Sequence, residues 1–238
     1  SFIMKISKKK LKKIIYEESL IFEKLGDESG SISSLYLFDF DDTLARTDNL
    51  VHVTYIDAQT GDKTGQDSLP SGEFEDYRQK PEEERASDIL DFTDFDSVKN
   101  ATPIDNVMKI MRHALSDSSS FTAIITARPS AASSDILNFL KKHNVAVSPE
   151  HINTVGDVGG KPEDKLAVAR KYVDRFMPKE VHFFDDSQKN NDAIISLCDE
   201  IDDEIEVFTY DIISGSPVPV DTCATYNSKR MMEIAGII

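Results

Sequence analysis

Beyond residue 103 the chain alternates between short unbroken apolar runs and longer stretches whose apolar residues return every three or four positions. The unbroken runs are 121–126 (FTAIIT), 152–155 (INTV), 181–184 (VHFF) and 205–210 (IEVFTY). The periodic stretches are 103–115, 130–143, 162–176 and the segment that follows Phe184 as far as Ser196. Runs apolar on both sides predict strands of a parallel sheet, and the periodic stretches predict helices covering its two faces. Pro103 stands early in the first helix, where its missing N–H costs nothing. A further run, 35–38 (LYLF), predicts another strand of the same sheet. No internal repeat is visible.

The remainder is less regular. Residues 5–25 carry Leu11, Ile14, Ile15, Phe22 and Leu25 at helical spacing, and Gly26 can close that helix. Residues 26–34 (GDESGSISS) have the composition of a linker. Between the first strand and Pro103, runs 51–56 and 64–69 flank a turn-forming stretch with Gly61-Asp62 and predict a hairpin. The acid-rich segment 70–102 predicts short helices over EFEDY and EEERASDILDF. The expected division is a basic N-terminal helix and linker at 1–33, a catalytic-type α/β domain at 34–210 with an insertion at 45–102, and a C-terminal extension at 211–238.

Charge narrows the choice of partners. The 238 residues carry a formal net charge of -16, which disfavours a general binder of nucleic acid or anionic membrane. The exception is the start of the chain, where Lys5, Lys8, Lys9, Lys10, Lys12 and Lys13 stand without an acid among them. That segment reads either as a packed helix with solvated lysines or as a docking arm for an acidic partner or a nucleic-acid end. It runs into Ile14-Ile15-Tyr16-Glu17-Glu18 rather than an uncharged apolar core, so a secretory signal is not expected. No apolar run is long enough to span a membrane. Cys198 and Cys223 lack a CxxC spacing, which suits a reduced, cytoplasmic protein without a disulfide framework and leaves one bridge open. The histidines are scattered without ligand spacing, so no zinc is assigned. The glycine-rich stretch 155–160 lacks GxGxxG and is a weak nucleotide signal.

The chemistry lies where the predicted strands end. The first runs into Asp39-Phe40-Asp41-Asp42-Thr43, the second into Thr126-Ala127-Arg128, and 181–184 into Asp185-Asp186-Ser187. Lys161 and Lys165 sit near the start of the helix over 162–176. In a parallel sheet these groups converge on one edge, the edge at which such folds bind ligands. Crowded carboxylates repel one another and resist desolvation, so a cation is needed among them. Hard oxygen ligands beside lysine, arginine and hydroxyl donors suit Mg²⁺ with a phosphate group.

With DFDDT at 39–43, an apolar strand ending in Thr126, a lysine before the last motif and FFDDS at 183–187, the chain resembles the haloacid dehalogenase-like superfamily of phosphohydrolases. The resemblance covers roughly residues 34–210. It implies a Rossmannoid three-layer α/β fold with a central parallel sheet and a small hairpin-and-helix cap inserted after the first strand. It also implies roles. Asp39 would be the nucleophile that forms an aspartyl-phosphate, and Asp41 the general acid/base whose backbone carbonyl also ligates Mg²⁺. Thr126 would bond the phosphoryl group, and Lys165 or Lys161 would neutralise Asp39 and the phosphate. Asp185 and Asp186 would complete the metal site with Asp39 and Asp41. Arg128 resembles the arginine of relatives that act on nucleic-acid ends and would contact substrate, or else form a salt bridge. Asp42 reads as structural, and Asn190 either orients the metal acids or is a surface amide. An acid at Asp41 favours phosphoryl chemistry over dehalogenation, the lack of membrane spans argues against an ion-pumping ATPase, and an insertion of this size suits hydrolysis better than the closed site of a mutase. The expected function is a Mg²⁺-dependent phosphatase acting on a phosphorylated substrate. The alternatives are a polynucleotide 3′-phosphatase and a non-catalytic binding protein.

Overall fold

A computed structural model gives the architecture and describes residues 32–201 and 205–226. The expected basic helix over 5–25, with its docking role, and the last part of the expected C-terminal extension lie outside those residues.

In chain order the strands and helices begin with β1 (Ser34–Phe38), β2 (Ala45–Arg46), β3 (Val51–Ile56), β4 (Lys63–Leu69), α1 (Ser71–Arg78), α2 (Glu82–Arg85), β5 (Ile89–Asp91) and β6 (Thr102–Pro103). They continue with α3 (Asp105–Ser116), β7 (Ser120–Thr126), α4 (Ser133–Lys142), β8 (Ile152–Thr154), α5 (Pro162–Phe176), β9 (Glu180–Phe184), α6 (Gln188–Ile195), β10 (Glu206–Ile213) and β11 (Ser216–Thr222). The main sheet has the order β11-β10-β9-β1-β7-β8. Every neighbouring pair in it is parallel except the β10–β11 edge. From β1 the chain moves outward through β7 to β8, then returns to the other side of β1 for β9 and β10. The strand order therefore reverses beside β1, and a crevice opens there at the carboxyl ends of β1 and β9.

Alternation along β1 divides the core. Leu35 and Leu37 face one side with Ala169 and Val173 of α5 and Ile194 and Ile195 of α6. Phe38 faces the other with Met108 and Met111 of α3 and Ile136, Phe139 and Leu140 of α4. Each such side chain removed from water is worth ~1.5–3 kcal/mol, which fixes the register of the strands that carry the site. The sheet thus has helices on both faces, as the apolar pattern predicts.

The insertion is stemmed by β2 against β6, with Ala45 opposite Pro103 and Arg46 opposite Thr102. Pro103 therefore closes a two-residue ladder, and the helix expected from it begins at Asp105 instead. Above the stem, β4-β3-β5 form a small antiparallel sheet around Val51, Val53 and Tyr77. The expected hairpin is β3–β4. The helix expected over EEERASDILDF is overturned in its second half: α2 stops at Arg85, and Ile89 and Leu90 pair with Thr54 and Val53. A free edge on β3 recruits the segment, and that pairing outweighs its local helical pattern.

The boundary expected at residue 210 is also overturned. β10 runs on to Ile213, turns through Ser214 and Gly215, both at positive φ, and returns as β11. Two positive-φ residues between paired strands make the tight turn that matches strand twist. Cys198 and Cys223 are joined by a disulfide, which ties the loop after α6 to the residue that follows β11. The expectation of two reduced thiols gives way to the one bridge that the spacing left open. No helix among the described residues is long and apolar enough to cross a membrane.

Candidate functional site

The strand ends meet as the sequence predicts. Asp39 follows β1, is 5% exposed, and donates its backbone N–H to the Phe184 carbonyl of β9. Asp185 follows β9, is fully buried, and donates its N–H to the Tyr210 carbonyl of β10. Each acid is thus pinned by the ladder of the next strand, and both point into the crevice where the strand order reverses.

Lys165 lies between them. Its Nζ donates to Asp39 Oδ1 and Asp185 Oδ2, each at 2.8 Å, and the residue is 2% exposed. The sequence left Lys161 and Lys165 as alternatives, and helix geometry separates them. Lys165, Ala169 and Val173 form the buried stripe of α5 at spacings of four, so Lys165 is carried onto the sheet. Lys161 caps the helix one turn earlier, is exposed, and donates its N–H to Asp164 Oδ2 at 2.9 Å. It lines the cavity without joining the buried pair.

Carboxylate oxygens of Asp39, Asp185 and Asp186 lie within 4.8 Å of one another. Three acids around one lysine leave an excess of negative charge. Burial pushes the Asp39 carboxyl up to about 7; Lys165 pulls it down, but Asp185 and Asp41 add to the rise. Burial alone would lower the Lys165 ammonium, but Asp185 and Asp39 outweigh it and hold it well above the usual lysine range. Asp186 faces the cavity as an exposed residue, yet the surrounding walls strip water from its carboxyl. That desolvation raises it well above the usual carboxylate range, with Asp185, Asp39 and Asp42 adding to the shift. The donors are all hard oxygens, so a small divalent cation fits the three acids. Asn190 Nδ2 and the Ser187 N–H both bond Asp185 Oδ1 at 2.9 Å, and Asn191 Nδ2 bonds the Asp185 carbonyl. Asn190 therefore orients Asp185; it is not a free surface amide.

Thr126 ends β7, is buried, and lines the same cavity. Its Oγ1 accepts the Arg128 N–H at 3.3 Å, which leaves its own hydrogen available to a ligand. Of the glycines in 155–160, Gly159 and Gly160 take positive φ and Gly156 serves close packing. A Cβ on Gly156 would stand 2.5 Å from the Ala127 carbonyl oxygen, so only glycine lets the loop before α5 lie against the end of β7.

Arg128 lines the cavity, and the contacts it makes in the structure are to protein. It is 1% exposed and its donors are spent on the protein. Nε and Nη2 fork onto Asp41 at 2.7 and 2.8 Å. Nη1 donates to the carbonyls of Ser97 and Phe95, and Nη2 also to Asn49 Oδ1 and Thr47 Oγ1. The guanidinium lies between the rings of Phe40 and Phe95, 5.6 and 5.0 Å from their centres. The salt bridge, the other reading of this residue, is the one found, and it is made to Asp41. Arg128 thereby joins Asp41 to both the outgoing and the returning segment of the insertion. Asn49, buried and bonded to Ser97 and Lys99 as well, completes that junction. Asn49 and Thr47 were not singled out from the sequence. They belong to no strand-end motif, and their only signal is polarity beside the stem.

Asp42 has φ 52°, a left-handed turn that short polar residues tolerate. Its N–H bonds the Ala45 carbonyl at 2.8 Å, and its carboxylate accepts the Ser71 hydroxyl at the start of α1. It is structural as expected, and its side chain holds the insertion.

Comparison with protein-family models, curated proteins and solved structures finds no match for this chain.

Proposed function

We propose that the protein is a Mg²⁺-dependent phosphohydrolase of the haloacid dehalogenase-like type, with 45–102 as a small cap, cleaving a phosphate monoester through an aspartyl-phosphate on Asp39. The observation that carries this reading is Lys165 held at 2.8 Å from both Asp39 and Asp185 in the crevice at the strand-order reversal, with Asp186 beside them. A buried cation between a candidate nucleophile and a candidate metal acid is the layout that phosphoryl transfer needs, because that chemistry depends on positioning and charge neutralisation.

In the first step an Asp39 oxygen attacks phosphorus, the bond from phosphorus to the leaving oxygen breaks, and that oxygen takes a proton from Asp41. In the second step a water attacks phosphorus and gives its proton to Asp41, the bond to Asp39 breaks, and orthophosphate leaves. Lys165 directs the Asp39 oxygen for attack and offsets part of the burial that favours its protonated form, and Thr126 donates its hydroxyl to the phosphoryl oxygens. A divalent cation held by Asp39, Asp185 and Asp186, with the Asp41 carbonyl, supplies neutralisation of the acids and of the phosphoryl charge. Arg128 forks onto Asp41 at 2.7 and 2.8 Å and so sets the direction of the carboxyl that passes this proton.

The test is orthophosphate release from a panel of phosphate monoesters with and without Mg²⁺. We expect metal-dependent release, lost by several orders of magnitude in Asp39→Asn, on the order of the effects of removing other catalytic nucleophiles. Full activity in chelator, or a tenth of the activity retained by Asp39→Asn, overturns the proposal. Inactivity on every ester favours the non-catalytic alternative.

A further inference from the structure

The cavity is larger than a phosphate group requires. It encloses about 670 Å³, within the range of sites that hold whole small-molecule ligands. The strand ends supply one part of its wall through Asp39, Thr126 and Asp186, with Lys165 from the start of α5. The insertion supplies another, and that part is aromatic: Phe74, Phe92 and Phe95, with Leu90 and Val51. Phe92 is 46% exposed and Leu90 36%, so apolar surface is left uncovered where a leaving group would lie. Phe74 meets Phe92 edge-on, with ring centres 5.4 Å apart and planes at 82°, which braces the Phe92 ring.

Charge and polarity select among possible occupants. Arg85 and Lys161 line the cavity of a chain whose net charge is -16, so positive charge is gathered where an anion would enter. Further phosphates of a strand, running out of the cavity, would meet the acidic body. Ser71, Thr93 and Asp96 also line the cavity and offer hydrogen bonds to the edge of a ring stacked on the phenylalanines. The requirements are therefore one phosphate, a polar spacer and a planar ring with hydrogen-bonding edges.

We propose that the substrate is a nucleoside monophosphate, with its phosphate between Asp39 and Lys165 and its base against the Phe74–Phe92–Phe95 wall. This rests on the phosphohydrolase reading above and extends it to the leaving group. A stacked base contributes about 1–3 kcal/mol by alanine substitution, whichever base it is, so a preference for bases in general is expected, with the ring edge setting the choice among them.

The decisive comparison is between ribose 5-phosphate and the 5′-monophosphates of adenosine, guanosine, cytidine and uridine. All present the same primary oxygen to phosphorus and differ only in the base. We expect kcat/KM for the best nucleotide to exceed that for ribose 5-phosphate by about ten- to a hundredfold, the rate equivalent of one stacked base. Phe92→Ala should collapse that ratio toward one, and Phe92→Tyr should keep it. Equal turnover of sugar phosphate and every nucleotide overturns the proposal while leaving the phosphohydrolase standing. A 3′-phosphorylated oligonucleotide preferred over all mononucleotides overturns it in favour of a strand end. Should no ester be hydrolysed, the phosphohydrolase reading fails, and titration calorimetry of the wild-type protein with adenosine 5′-monophosphate against ribose 5-phosphate still decides the base site. Tighter binding of the nucleotide supports the site, and equal or absent binding of both removes it.

Discussion

Two buried cations stand side by side at the strand ends and do different work. Lys165 is a compact charge placed between two carboxylates of the sheet, Asp39 and Asp185. Arg128 is a planar fork whose partners are one carboxylate, Asp41, and four acceptors on the first and last segments of the insertion. The difference follows from the side chains. An ammonium can be wedged between two acids that a ligand must later approach, whereas a guanidinium bridges fixed acceptors in set directions. The first arrangement neutralises charge where chemistry would occur. The second transmits the position of the insertion to Asp41.

That contrast predicts unequal losses. Lys165→Met should lower kcat/KM by about two to three orders of magnitude, the scale seen when one preorganised donor to developing charge is removed. Lys165→Arg should not rescue it, because the fork does not fit the space of an ammonium. Initial rates at saturating Mg²⁺ check this, and activity within tenfold of wild type would remove Lys165 from the chemistry. Arg128→Lys keeps the charge but cannot reach every acceptor. It should lower kcat by about tenfold, less than the loss of an acid/base group itself, and lower the melting temperature, because buried acceptors of the insertion stem lose their donor. A cycle with Asp41→Asn should show coupling between the two residues. Additive effects would mean that Arg128 holds the insertion without positioning Asp41.

The same contrast marks what was legible in the sequence. The order of apolar runs and the acids that follow them announced the parallel sheet and the Asp39–Asp185 cluster, because a strand end is a local feature. Lys165 was legible only as one of two alternatives with Lys161; the stripe it shares with Ala169 and Val173 at helical spacing is the signal that separates them. Arg128 was visible as a residue but not in its direction. Its partners lie 31 to 87 positions away in the chain, and no local pattern says whether a guanidinium faces ligand or protein. β5 was misread because its strand character comes from the free edge of β3. β11 was missed although Ser214-Gly215 between two alternating runs is a hairpin signal of its own kind.

The smallest effect expected is on stability, and it tests whether the Lys165 cluster lacks the cation that its charge calls for. Asp39 is raised from the usual value near 3.8 to about 7, and Asp186 is raised as well, in both cases first by burial. Between about pH 4 and pH 7 the folded protein therefore holds protons that the unfolded chain has released. With more protons bound to the folded state, stability falls as pH rises through this window, and the stabilisation is lost above the folded value. Divalent cation replaces those protons, so Mg²⁺ should raise the melting temperature more at pH 8 than at pH 5. At a hundred times its dissociation constant a ligand adds about 2.7 kcal/mol, equivalent to several degrees in a domain of this size. Melting curves across that pH range, in chelator and in Mg²⁺, measure both slopes. Asp39→Asn should flatten the slope in chelator, because the amide has no proton to release. A melting temperature that is level with pH and indifferent to Mg²⁺ would mean that Lys165 alone balances the three acids, and the metal assignment at Asp39, Asp185 and Asp186 would fall with it.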